Sequence, residues 1–423
     1  MLIYTVRAGD SVYRIARNHN VTPAAIIKAN GLQAPENLVV GQALIIPSAF
    51  REHIAAAGDT LFRIAQRFGI TLASLIEANP LLASNPNAIR IGQRIYLPRM
   101  TLGEMVVNGY CYPNITDDVL AKTLPHMSLL CVFSAQVNAA GDVRPMQNDQ
   151  RVVNKAKNLK VRPMLVLTNL DDSGFNPEIA RAVLTDAEKS GRVLRQCMAI
   201  IGEKGYGGLD VDFENVPRDA RQGLNDFLAR ARTLLHAQNL LLSSAVPPLT
   251  QDNQGGLLFE GFDFAAQGEY NDYVTLMTYE WGYSGGPPGP VAPLNEVRRA
   301  VEYAMTRIPK EKLLMGIPNY GYDWMIPYRA GTRATTISNV GGVNIAWQNG
   351  AAIRFDTTAQ TPWFRYTAQG QQHEVWFEDA RSIYAKLELA AALGIAGVSY
   401  WQINTFFPQN WTLVEELVRV KRV

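Results

Sequence analysis

The stretch GGLDVDFEN, Gly207 to Asn215, places carboxylates at every second position: Asp210, Asp212 and Glu214. Side chains of an extended strand alternate between faces, so the three acids share one face while Leu209, Val211 and Phe213 take the other. Acids about 6–7 Å apart along a strand cannot all stay ionised in a partly buried site, because each charge opposes the next. At least one then keeps a proton near neutral pH, which is what a general acid needs. A solvent-facing antiparallel strand would alternate in the same way, but the buried-type neighbours argue against it. A calcium loop needs glycine at its sixth position and polar spacers. Here Asn215 stands there, and Val211 and Phe213 lie between the acids.

Other catalytic signatures are missing. The chain has no HExxH and no GxxxxGK(S/T), and its five histidines (His19, His53, His126, His236, His373) are scattered. Cys111, Cys131 and Cys197 form no CxxC pair, so neither a zinc knuckle nor a redox motif is expected. They read as buried apolar thiols in a reducing compartment. Acid–base carboxylate chemistry remains, with no metal and no cofactor.

The acidic row sits among eight short, near-continuously apolar runs separated by helical stretches. In order they are MVVNGYCY, LLCVFSAQV, VRPMLVLTN, GGLDVDFEN, LLLSSAVPP, YVTLMTYE, KLLMGIPNYGYDW and GIAGVSYWQ. Such alternation is the signature of a parallel sheet covered on both sides, and the length suits a (β/α)8, or TIM, barrel of the α/β class. One helix is legible directly: Pro217 starts it, and Leu224, Phe227, Leu228, Ala231, Leu234 and Leu235 recur at helical spacing. In the barrel the apolar set of the acidic strand faces the helices and the acids face inward, with Glu214 at the C-terminal rim. The Gly/Thr/Gln-rich stretch at about 324–374 reads as a small β-rich insertion. The helix that follows it, from near Asp379, reads as the last of the chain.

The first hundred residues contain a repeat. YTVRAGDSVYRIARNHNVTPAAIIKAN, from Tyr4, aligns without a gap with HIAAAGDTLFRIAQRFGITLASLIEAN, from His53. Each copy reads strand, helix, helix, strand. Asp10 and Asp59 are candidate N-caps of the first helices, and Thr22 and Thr71 of the second. The expected division is 1–48, 49–98 and 99–423. With 40 basic and 38 acidic residues the formal charge is only +2, so no basic stripe points to nucleic acid. No run approaches the ~20 apolar residues of a membrane span. The start MLIYTVRAGD has no basic segment followed by an apolar one, so no secretory signal is expected.

The repeat resembles the LysM module, which grips N-acetylglucosamine chains. The resemblance implies sugar contacts beside Gly9-Asp10-Ser11 and Gly58-Asp59-Thr60 and around Asn30 and Asn79. Caps and turns require the same residue types, so a structural role competes at each position. Two weak sites on one chain would raise avidity.

The acidic strand resembles the DGxDxDxE signature of glycoside hydrolase family 18. The resemblance extends along the barrel, to Met277, Tyr279 and Glu280 in MTYE, to GIPNYG at Gly316–Gly321 and to Trp401. It implies a retaining, substrate-assisted reaction, outside the usual scheme of two enzyme carboxylates. Glu214 would protonate the glycosidic oxygen and later activate water, while the substrate's own acetamido oxygen attacks the anomeric carbon. Asp212 would orient the acetamido N–H, Asp210 would share a proton with Asp212, and Tyr279 would bond the acetamido oxygen. Trp401 would form the floor under the sugar, with Tyr110 and Tyr320 lining the cleft. Met277 reads more readily as a core filler, since methionine suits irregular gaps. Gly207 departs from the family's first Asp, and Glu280 from the commoner Asp, which bears on substrate preference.

Tandem LysM modules with the segment HEVWFED around Glu378 resemble the spore-germination subgroup. That implies an N-acetylglucosaminidase acting on spore cortex peptidoglycan, made in the cytoplasm and deposited in the spore coat or cortex region. Alternatives are a chitinase or endo-N-acetylglucosaminidase on other N-acetylglucosamine glycans, and a non-catalytic lectin.

Overall fold

The computed structural model describes residues 1–47, 52–68, 70–82, 85, 88–97 and 101–423. These form two compact units: Met1–Gly103 with Pro408–Arg419, and Glu104–Phe407 with Val420–Val423.

The larger unit is a closed barrel of eight parallel strands. In order they are Glu104–Cys111, Leu129–Val137, Arg162–Thr168, Gly208–Asp212, Leu241–Val246, Tyr273–Leu276, Leu313–Pro318 and Gly397–Trp401. Each pairs with the next, and the eighth closes onto the first through Gly397↔Val106 to Tyr400↔Gly109. All eight lie in the eight apolar runs of the sequence. Alternate residues fill the interior: Val106 and Tyr110, Leu129, Cys131 and Phe133, Met164 and Val166, and Leu314. The helix expected after Pro217 spans Arg221–His236, following a 3-10 turn, and buries Leu224, Phe227, Leu228, Ala231 and Leu235. Leu234 of the expected row is exposed.

Between the seventh and eighth barrel strands lies an antiparallel sheet of five strands, from Gly321–Ile326 to Gln371–Trp376. The expected β-rich character is present, but the insertion also holds a helix, Asn339–Gln348. Its sequence NVGGVNIAWQ has two glycines and no clear apolar face, so periodicity could not reveal it; Ser338 caps it by accepting from the Gly341 N–H. The helix Ala380–Leu393 begins at the expected place, with Asp379 and Ser382 forming a reciprocal capping box. It is not the last: Pro408–Leu417 follows the eighth strand.

In the smaller unit both repeats fold as strand, helix, helix, strand. The first pairs Leu2–Thr5 with Ala43–Ile46 and the second Glu52–Ile54 with Arg94–Tyr96. Val12, Ile15 and Ala16 pack with Ile26 and Leu44 in one core; Leu61, Ile64 and Ala65 pack with Leu75 and Ile95 in the other. The boundaries expected at 48/49 and 98/99 fall outside the described residues. The helix Pro408–Leu417, expected with the barrel, packs on the helix Pro23–Asn30 of the first repeat. Gln409 Nε2 donates to Asn30 Oδ1 (2.8 Å) and the Ala43 carbonyl (2.8 Å), and Thr412 Oγ1 donates to the Ala29 carbonyl. Among the described residues no helix is long and apolar enough to cross a membrane.

Candidate active site

The acidic strand runs Gly208–Asp212, and Glu214 lies just past its end at the C-terminal rim. Asp210 is fully buried inside the barrel, where Tyr110 Oη of the first strand (2.9 Å) and Ser243 Oγ of the fifth donate to its two oxygens. Burial pushes its carboxyl up to about 6, against the pull of those two donors. Asp212 sits one pleat higher. Burial, then the charges of Glu214 and Asp210, drive its pKa well above the ordinary carboxylate range. Burial first, and the charge of Glu280 second, raise Glu214 to about 7. All three shifts favour the protonated form along the acidic row.

A cavity of about 280 Å³ opens above these acids. Asp212, Glu214, Tyr279 and Trp401 line it, and so do Tyr110, Met277, Glu280 and Tyr320. Asp210 is the exception among the barrel residues singled out in the sequence; it lies beneath, behind Tyr110. Asp212 Oδ1 is buried and has no hydrogen-bond partner among the described residues. An acceptor left so costs roughly 1–3 kcal/mol unless a donor arrives with the ligand.

Local packing explains how the walls are held. Trp401 rests against Phe133 (ring centroids 4.9 Å apart), Tyr110 and Tyr112. Glu280 has a left-handed backbone, φ 67°, and its Oε1 accepts from Tyr322 Oη (2.8 Å) and from Tyr320 Oη. Burial raises the Glu280 carboxyl while the two tyrosines lower it. Gly316 is required beside Tyr279: a Cβ there would come within 2.9 Å of the Tyr279 ring and 2.7 Å of the Leu276 carbonyl. At Gly207 a Cβ would lie 2.3 Å from Arg162 Cγ. The place of the family's first Asp is thus filled by the Arg162 stem, whose Nε donates to the Val423 carbonyl. Trp324 and Trp376 belong to the core of the insertion.

Sequence reasoning missed Ser243, Asn169 and the cavity walls Phe175 and Leu258. Ser243 had a signal, a polar residue on the inward period of an apolar strand. Phe175, in the two-residue strand Gly174–Phe175, and Leu258, in a loop, have none.

In the repeats, Gly9 and Gly58 occupy left-handed turns, φ 80° and 83°. Asp10 and Asp59 are not helix caps: each closes its turn by accepting from a backbone N–H, of Arg7 and Ala56 respectively, at 2.8 Å. The caps are the next residues, Ser11 and Thr60, which accept from the N–H groups three positions on. Tyr4 Oη and His53 Nε2 bond the two aspartates. Asn30 and Asn79, expected at the sugar, are instead buried. Their amides bridge the second helix to the last strand, Asn30 to Ile26 and Ile45 and Asn79 to Leu75 and Tyr96. Fully committed amides of this kind hold the module together.

The chain is similar to known proteins along its whole length. The family model for glycosyl hydrolases family 18 matches residues 131–405, and the LysM model matches residues 4–47 and 53–98. The chain is 41% identical to the "Cortical fragment-lytic enzyme" of Bacillus subtilis over 99% of both chains. It is 33% identical to the "Putative sporulation-specific glycosylase YdhD" of the same organism, over all of both chains. The crystal structure of the Bacillus cereus spore cortex-lytic enzyme SleL superposes with a TM-score of 0.86 at 36% identity, covering 100% of this chain and 98% of that one. The chain belongs to glycosyl hydrolases family 18, a glycosidase family, and carries two LysM domains ahead of its catalytic barrel.

Proposed function

We propose that this glycosidase hydrolyses the bond on the reducing side of N-acetylglucosamine in spore cortex peptidoglycan, next to muramic acid or its lactam. Configuration is retained and the substrate's acetamido group is the nucleophile. The observation that carries this reading is the buried, partnerless Oδ1 of Asp212, a residue that lines the same cavity as Glu214. An acetamido N–H supplies the donor that this oxygen lacks. Fixed there, the acetamido oxygen turns toward the anomeric carbon, and Tyr279 Oη is within the same cavity to bond it. Glu214, whose pKa near 7 keeps much of it protonated at neutral pH, gives its proton to the departing oxygen. It then takes one from water as the acetamido–carbon bond opens. Trp401 supplies an apolar face for the sugar ring.

The relatives named for cortex lysis support the choice of polymer. Two LysM modules on the same chain raise local glycan concentration at the barrel. The deposition site, spore coat or cortex region, follows from that substrate. Incubation with cortex fragments and identification of new reducing ends by mass spectrometry tests the bond: N-acetylglucosamine is expected, and N-acetylmuramic acid would refute it.

A further inference from the structure

Glu214 lies beyond the point where the barrel ladder holds it. The pairing of the third and fourth strands ends at Asp212↔Thr168. Among the described residues no side-chain hydrogen bond steadies the Glu214 carboxyl either; its environment is set by burial and by the charge of Glu280. What fixes the residue is a side chain from the next strand. Asn169, fully buried directly after the third strand, accepts from the Glu214 N–H at Oδ1 (3.0 Å) and donates from Nδ2 to the Glu214 carbonyl (2.8 Å). One amide thus makes both bonds that a paired strand residue would make.

The clamp is itself anchored. Asn169 Nδ2 also donates to the Asn176 carbonyl (2.9 Å), and the Asn176 N–H returns a bond to the Asn169 carbonyl (3.0 Å). The following residue, Asn215, has a left-handed backbone, φ 54°, and its Nδ2 donates to the Phe175 carbonyl (3.0 Å). The hairpin Leu170–Phe175 is therefore tied to the acid at two successive residues, and Phe175 lines the same cavity. A donor group displaced by about 1 Å can lose on the order of 100-fold in rate, so the height of the Glu214 main chain matters.

We propose that Asn169, with Asn215 as a second tether, is a positioning residue that holds the Glu214 acid at the leaving oxygen. This rests on the reading of Glu214 as the proton donor. Asn169 is fully buried and does not line the cavity; its amide acts through the main chain of Glu214.

The test is kcat/KM on aryl β-glycosides of an N-acetylglucosamine disaccharide whose phenols span a range of acidity. A misplaced acid matters most where the leaving group most needs a proton. Asn169→Ala is expected to lose about 10- to 100-fold on the poorest leaving group and to stay near wild type on the best, giving a steeper dependence on phenol acidity. Asn169→Asp keeps an acceptor for the Glu214 N–H but has no donor for the carbonyl, so it should fall between the two. Loss by the same factor across all leaving groups, or no loss at all, would overturn the proposal. If Asn169→Ala does not fold, Asn215→Gly keeps the left-handed backbone and removes only the tether; a smaller steepening is expected, and a parallel shift counts against the proposal. Glu214→Gln in the same series separates the two claims: if it leaves the slope unchanged, the acid is misassigned whatever Asn169 does.

Discussion

Glu214 reaches its pKa of about 7 through two causes of different origin, the burial of its carboxyl and the charge of Glu280. As proton donor it must be protonated in the free enzyme, so kcat/KM on an unactivated oligosaccharide should fall as pH rises through about 7. Glu280→Gln removes the neighbouring negative charge. Less charge nearby makes Glu214 a stronger acid, so the alkaline limb should move to lower pH; a limb that stays in place or moves upward contradicts the assignment. At this scale the acidic row was legible because a period of two fixes which side chains share a face, whatever surrounds the strand. The partners were not: Ser243 and Tyr110 reach Asp210 from other strands, across sequence separations that no local pattern encodes. Asn30 and Asn79 mislead for a related reason. A polar residue next to a turn looks exposed in sequence, yet here the amide closes a helix onto a strand inside the module.

The eight strands were legible as apolar runs because a parallel strand covered on both sides must be apolar on both faces. The segment HEVWFED, by contrast, gave no physical reason for its acids. Glu378 is buried and takes two hydrogen bonds from Lys386 Nζ, at 2.8 and 3.0 Å, with both side chains essentially without solvent exposure. Lys386 stands on the helix Ala380–Leu393, so the pair ties that helix to the end of the insertion. Lys386→Met keeps the length of the side chain but leaves a carboxylate buried alone. The cost should be about 3–5 kcal/mol, read as a lowered midpoint in denaturant. The double variant Lys386→Met/Glu378→Gln should recover part of that loss, and a single variant as stable as wild type would show that the pair does not hold the two elements. The helix Asn339–Gln348 escaped notice because a capped start and tertiary packing, not an apolar stripe, determine it.

On the scale of the whole chain, sequence reasoning divided the molecule into 1–48, 49–98 and 99–423 and assigned everything from residue 99 onward to the barrel. The first repeat instead packs with the helix Pro408–Leu417. A gap of nearly 380 residues between Asn30 and Gln409 explains why neither repeat nor helix announced the other. Gln409→Ala removes two buried donations, to the Ala43 carbonyl and to Asn30 Oδ1, which keeps only its bond from the Ile45 N–H. Hydrogen exchange should therefore quicken at 26–30 and 43–46 while the barrel strands keep their protection. Unchanged exchange in those segments would show that the helix does not stabilise the first repeat.

The reaction itself leaves a stereochemical record, which tests the pairing of Asp212 and Glu214 with a nucleophile supplied by the sugar. Proton NMR of the first sugar released from an N-acetylglucosamine oligosaccharide, taken before mutarotation, reads the configuration at its new anomeric carbon. Two displacements at that carbon must give the β-anomer. Initial release of the α-anomer would mean that water attacks directly, and the account would be wrong.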